Sequence, residues 1–151
     1  MADVVSPATR SRMMSGIRSK DTKPELVVRR GLHALGYRYR LHVKDLPGKP
    51  DIVLPRRRAA IFVHGCFWHG HNCHLFKWPK TRTDFWRQKI KTNRKNDERA
   101  IRALQEQAWR VLIVWECSLK GRTRHSSEKT ISLISDWLRS DQGKDEIRGR
   151  D

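Results

Sequence analysis

No apolar run in the 151 residues is long and uncharged enough to cross a bilayer, which excludes a spanning helix. The opening segment Met1-Ala2-Asp3-Val4-Val5-Ser6-Pro7 has no basic stretch followed by an apolar block. A secretory signal is therefore not expected, and the protein is read as cytoplasmic. Cysteine is scarce and odd in number: three thiols cannot all pair, which removes a disulfide framework and leaves metal ligands or free thiols in a reducing compartment. Acids are the other shortage, with 16 Asp plus Glu against 33 Lys plus Arg and a formal charge of +17. The excess runs through the whole chain, so the expected partner is a polyanion, nucleic acid ahead of a membrane surface. No internal repeat is visible, and the length suits one domain that buries roughly two-thirds of its unfolded surface.

The chain divides into a basic arm over 1–20, a folded domain over 21–139 and a polar tail over 140–151, expected to be disordered. Met14 and Ile17 sit among the arginines of the arm. Thr22-Lys23-Pro24-Glu25 reads as a capping box with proline in the first turn, opening a helix that Gly36 stops. Tyr37 to Val43 alternates as a strand, and a turn at Leu46-Pro47-Gly48-Lys49-Pro50 precedes the short apolar run Ile52-Val53-Leu54. Ala59 to Val63 is a second apolar run, and a hairpin centred on Arg56-Arg57 brings Asp51 opposite residues 62 to 64, within about two residues. A basic helix follows over Thr83–Gln107, then a buried strand at Val111–Trp115 and a last helix from about Ser127 to Leu138. A helical crossover between the third and fourth strands makes the sheet mixed, with helices on both faces, so the fold class is α/β.

Phe62 to Cys73 holds three histidines and two cysteines directly after an apolar run. Cys66, His71, Cys73 and Cys117 form a Cys3His set of the kind that holds structural Zn2+, with His74 as a competing ligand and three buried thiols as the plain alternative. His64 and His69 fall outside that set. His69 is a candidate general base or phosphate ligand, or simply a solvated loop histidine. Asp51 is a poor strand former at a strand start, so it is either a turn cap or a carboxylate for a hard cation such as Mg2+. Phe67, Trp68 and Trp86 lie near arginine and lysine, where aromatics stack on or wedge between bases, unless they are core. Trp109, Trp115 and Trp137 are read as core. A zinc-stiffened DNA-binding module without catalysis is one reading of these features, but it has no need of an acid that repels phosphate unless a cation intervenes.

Ala8-Thr9-Arg10-Ser11, Pro47-Gly48-Lys49-Pro50-Asp51, Phe62-Val63-His64-Gly65-Cys66-Phe67-Trp68-His69, Thr81-Arg82-Thr83-Asp84-Phe85-Trp86 and Val111-Leu112-Ile113-Val114-Trp115-Glu116-Cys117 resemble the very-short-patch (Vsr) mismatch repair endonucleases of bacteria. The resemblance runs from about residue 8 to 138. It implies a restriction-endonuclease-like mixed sheet flanked by helices, a structural zinc site, and Mg2+-dependent nicking 5′ to the thymine of a T:G mismatch left by 5-methylcytosine deamination. By position, Asp51 would hold Mg2+ with the backbone carbonyl of Val63, where the family usually has threonine. His64 and His69 would act at the scissile phosphate, and Glu25 and Asp97 would hold metal-bound water or these histidines. Phe67, Trp68 and Trp86 would enter the duplex from the major groove, with Met14 and Ile17 on the minor-groove side. Lys89 and Asn93 would read the wobble pair. The implied partner is double-stranded DNA with a T:G mismatch, bound by a monomer associated with the nucleoid, with mismatch-repair proteins as further partners.

Overall fold

The computed structural model describes residues 21–150 of the chain. The basic arm over 1–20, with Met14 and Ile17, lies outside the described residues.

Helix α1 (Lys23–Ala34) starts at Thr22, whose Oγ1 accepts the Glu25 N–H at 3.4 Å, with Pro24 in the first turn. Only half of the expected capping box forms. Glu25 Oε1 accepts from the N–H of Asp21 at 3.3 Å, one residue outside the cap, which leaves the carboxylate turned toward the sheet. Gly36 ends the helix at φ +88°, a left-handed backbone that suits glycine, while the N–H groups of Gly36 and Tyr37 return to the carbonyls of His33 and Leu32.

The strand predicted over Tyr37–Val43 shortens to β1 (Arg40–Leu41), and at His42, whose N–H still pairs with the Asp51 carbonyl, the backbone turns left-handed at φ +48°. Strands β2 (Ile52–Leu54) and β3 (Ala59–His64) form the hairpin, closed by a 3-10 turn over Pro55–Arg57. Their register pairs Ile52 with Ile61 and Leu54 with Ala59, so one further step sets Asp51 opposite Phe62. Helix α2 (Thr83–Glu106) is the crossover that returns the chain so that β4 (Arg110–Trp115) runs parallel to β3, with His64 beside Trp115. Helix α3 (Ser127–Arg139) is capped by Ser126, whose Oγ accepts from the Lys129 N–H at 3.0 Å.

The five-stranded sheet keeps chain order, antiparallel through β1, β2 and β3 and parallel beyond. Alternation along the strands sorts the core into two layers. Ile61, Leu112 and Val114 pack with Val28, Leu32, Ile131 and Ile134 of α1 and α3. Ala60, Phe62 and Val111 meet Leu104 of α2 on the opposite face, with Trp109 at its edge. Trp115 and Trp137 are buried. Among the described residues, no helix is long and apolar enough to cross a membrane.

The tail departs from the expectation of disorder. Lys144–Ile147 form strand β5, parallel to β4, with Val111 opposite Lys144 and Val114 opposite Ile147. An edge strand needs backbone pairing more than apolar side chains, so Ile147 is its single buried residue and the composition reads as solvated. Arg110 holds the turn into it, donating to the carbonyls of Trp137 (2.7 Å), Ser140 (2.8 Å) and Gln142 (3.0 Å) while lying over the Trp137 ring. A second anchor is the Trp115 indole N–H, which donates to Glu146 Oε1 at 2.7 Å.

Candidate active site and metal centre

Asp51 immediately precedes β2, and its Oδ2 accepts the main-chain N–H of Val63 at 2.7 Å across the hairpin. The partner is twelve residues away, so the carboxylate is not a cap on its own turn. Because N–H and C=O of one strand residue point to the same side, the Val63 carbonyl faces the Asp51 edge as well. Burial pushes the Asp51 carboxyl up to about 6, against the Val63 hydrogen bond that favours its ionised form; Glu25 pushes it up further, and His42 and His69 oppose that. A carboxylate held this way gains from a cation that replaces the lost solvation.

His64 ends β3, and His69 comes from the loop that follows. Their rings stack at 3.7 Å with planes within 4°. His64 is buried, and burial first, then the neighbouring His69 and His71, hold it well below the ordinary imidazole value, so it is neutral. Its Nδ1 has no hydrogen-bond partner among the described residues. Asp97, on α2, completes the group: its Oδ2 lies 2.5 Å from His69 Nδ1 and its Oδ1 4.0 Å from His64 Nε2. A carboxylate on Nδ1 fixes the proton there and leaves Nε2 of neutral His69 as the lone-pair nitrogen, the state a general base requires. Ring stacking and the Asp97 bond make His69 an ordered group, unlike a solvated loop histidine.

Glu25 and Asp97 have separate partners. Asp97 meets both histidines, whereas Glu25 Oε2 is bonded to His42 Nε2 at 2.7 Å, with Arg29 Nη1 at 3.4 Å. Sequence reasoning missed His42, since the alternation over Tyr37–Val43 marks it as a strand residue and gives no sign of its partner Glu25. It also missed Glu116, whose Oε1 accepts the Cys66 N–H at 3.1 Å, although its position beside Cys117 was a usable clue.

Glu25, Asp51, Val63, His64, His69 and Asp97 all line one cleft of about 1350 Å3, together with Phe67, Trp68, Trp86 and Asn93. Lys89, half-buried one helical turn before Asn93, is not on its wall. Phe67 lies 5.3 Å from Trp68 and 5.2 Å from Trp86, and the two indoles are 5.6 Å apart. These rings are half-buried in one another's company, an aromatic ridge at the cleft rim instead of a core cluster. Asn93 fastens the ridge, its Nδ2 donating to the Trp68 carbonyl at 2.8 Å. The ridge continues through Phe76 to Trp78, which is 46% exposed, and through Phe85, 45% exposed. Both of these outer rings have a guanidinium over them, from Arg87 and Arg82 respectively.

Behind the histidines, the donor atoms of Cys66, His71, Cys73 and Cys117 lie within 4.8 Å of one another. His71 Nδ1 is 3.5 Å from Cys66 Sγ and 3.6 Å from Cys117 Sγ, and its ring stacks on Trp115 at 3.9 Å. The neighbouring Cys66 thiol holds Cys117 below the ordinary thiol value, helped by the Gly149 N–H that donates to Cys117 Sγ at 3.3 Å. Burial keeps His71 on the neutral side. A thiolate and a neutral imidazole among converging thiols are the states in which these groups bind a soft or borderline metal ion. His74 stays outside: its Nδ1 meets Thr123 Oγ1 at 3.4 Å. Among the described residues it is His71 and not His74 whose ring nitrogen converges with the three thiols, in a group that could hold a metal ion.

A family model described as "DNA mismatch endonuclease Vsr" matches residues 2–75. The chain is 55% identical over 119 residues to the type II nicking enzyme V.XorIIP of Xanthomonas oryzae pv. oryzae, covering 79% of this chain and 88% of that protein. It is 47% identical over 138 residues to the DNA mismatch endonuclease Vsr of Escherichia coli, covering 91% and 88% respectively. With the type II nicking enzyme V.NmeAIP of Neisseria meningitidis serogroup A it shares 44% identity over 122 residues, covering 81% and 87%. With relatives this similar over most of its length, the chain belongs to the Vsr family of DNA mismatch endonucleases.

Proposed function

We infer that this protein is a DNA mismatch endonuclease that nicks one strand of a duplex 5′ to the thymine of a T:G mismatch, the lesion left when 5-methylcytosine deaminates. The observation that carries the reading is the cleft in which Asp51 and the Asp97–His69 pair stand beside an aromatic ridge. A module that only bound DNA would have no use for a buried carboxylate facing phosphate, because the two repel unless a cation lies between them.

Asp51 and the Val63 carbonyl are the groups that would hold Mg2+, and valine serves there as well as threonine because the contact is main-chain oxygen. When bound, Mg2+ supplies Lewis-acid polarisation of the scissile phosphate and neutralises charge on the leaving oxygen. His69 Nε2 removes the proton from the attacking water, and Asp97 holds the imidazole in the tautomer that can do so. Neutral His64, stacked on His69, keeps that ring in place, with its Nε2 4.0 Å from Asp97 Oδ1. Glu25 orders water near Asp51. Cys66, His71, Cys73 and Cys117 would hold Zn2+ with all four positions filled by protein, a structural role that fixes the loop carrying Phe67, Trp68 and His69.

Phe67, Trp68 and Trp86 wedge into the stack at the mismatch, where opening costs least because the pair is already weakened. Lys89 and Asn93 read the wobble pair, and Met14 and Ile17 of the basic arm approach from the minor groove. The protein acts as a monomer in the bacterial cytoplasm, with mismatch-repair proteins as further partners. Incubating a labelled T:G duplex and its T:A counterpart with Mg2+ or EDTA tests the reading. The expected result is a nick in the thymine strand of the T:G duplex with Mg2+ alone.

A further inference from the structure

We propose that His42 is a positioning residue for this nicking reaction, tying Glu25 at the start of α1 to the main chain of Asp51 and so fixing the spacing of the two acids. The inference rests on the nicking function proposed above. His42 reaches both: its main-chain N–H donates to the Asp51 carbonyl at 2.9 Å, and its Nε2 lies 2.7 Å from Glu25 Oε2. Both acids line the cleft, while His42 is not on its wall, so any effect it has on the reaction passes through them.

The other contacts of Glu25 are weaker anchors. Arg29 Nη1 stands 3.4 Å from the same Oε2 but 2.6 Å from Asp21 Oδ1, an exposed partner, and the Asp21 N–H is 3.3 Å from Oε1. Glu25 is only 2% exposed, so losing its closest partner leaves a buried carboxylate oxygen without that bond. His42 also holds a left-handed backbone at φ +48°, which aims its N–H at Asp51 and its ring at Glu25 together. Non-glycine residues keep such a backbone where the surroundings enforce it, and these positions gather at functional sites.

The backbone also selects the variants. Asn suits a left-handed φ, yet its amide falls about one bond short of the imidazole Nε2; Gln reaches as far as the imidazole. His42→Asn should raise the Mg2+ concentration for half-maximal nicking about tenfold, the lower end of what losing a ligand-orienting partner costs. It should also shrink the rise in melting temperature that Mg2+ gives the DNA-free protein, with T:G duplex affinity in the absence of Mg2+ unchanged. His42→Gln should restore both Mg2+ readouts. Rates are scaled to the folded fraction from the same melts, and His42→Gly, which also suits this φ, substitutes if the Asn variant does not fold. A His42→Asn protein with the wild-type Mg2+ requirement would overturn the proposal, and so would equal impairment of the Asn and Gln variants. A wild-type protein that fails to nick T:G duplex would instead remove the function on which the proposal rests.

Discussion

Asp97 Oδ2 lies 2.5 Å from His69 Nδ1, and this contact joins the middle of the long helix α2 to the loop that follows β3. Its consequence is chemical: the protonated nitrogen of His69 is turned toward the carboxylate and the unprotonated one away from it. Asp97→Asn keeps the shape of the site but permits the opposite tautomer. The nicking rate should fall by about 10²-fold or more, within the usual worth of a positioned base, with affinity for the T:G duplex unchanged within about twofold. Single-turnover cleavage and gel-shift titration on one duplex separate the two; a parallel loss of rate and affinity would make Asp97 a binding residue.

Asp51 gives a prediction about pH. Its folded value, pushed up to about 6, lies above the ordinary carboxylate value of 3.8, so the folded state binds the proton more tightly than the unfolded chain. The stability this group contributes is therefore complete below 3.8 and lost as pH rises through about 6. In buffer without divalent ions, Asp51→Asn should melt above the wild type at pH 8, and the gap should close as pH falls toward 4. Added Mg2+ should narrow the gap at pH 8 by stabilising the wild type alone. Melts across this range check it; a variant that is less stable at every pH would contradict a carboxylate strained by burial.

The metal centre is tested by composition and by folding together. The purified protein should carry about one zinc per chain, and Cys117→Ala should lose both the metal and a large part of its thermal stability, because structural zinc binding is folding free energy. Elemental analysis and thermal melts decide the matter. A metal-free protein with an unchanged melting temperature would leave the cluster as buried thiols.

At the aromatic ridge, Trp68→Ala should weaken T:G duplex binding by about 1–3 kcal/mol, the range for loss of one stacked ring. The melting temperature should drop only slightly, since the ring is half-buried against Phe67 and Trp86 and does not belong to the sheet core. Fluorescence-anisotropy titration beside a thermal melt distinguishes the roles. A much lower melting temperature with normal binding would place Trp68 in the core.

The sequence made the sheet core and much of the site legible for different reasons. The hairpin arithmetic located Asp51 against Val63 because the two apolar runs and the arginine turn fix a register, and a period of two carries that register to its end. The Cys3His set was legible because few folds place those side chains together otherwise. What escaped notice depends on tertiary partners. β5 is nearly polar and exists because Arg110 and Trp115 hold it at the sheet edge. Glu25 read as a capping residue, yet its shortest side-chain contact is with His42, seventeen residues away and just past the end of β1.

The central claim, that Asp51 serves a cation in strand cleavage and not DNA recognition, is tested most directly by wild type and Asp51→Asn on one labelled T:G duplex, with cleavage and binding measured in parallel. The account predicts an Mg2+-dependent nick 5′ to the mismatched thymine for the wild type, no detectable nick for the variant, and affinities within a few-fold of each other. Wild-type cleavage by the Asp51→Asn protein would contradict it.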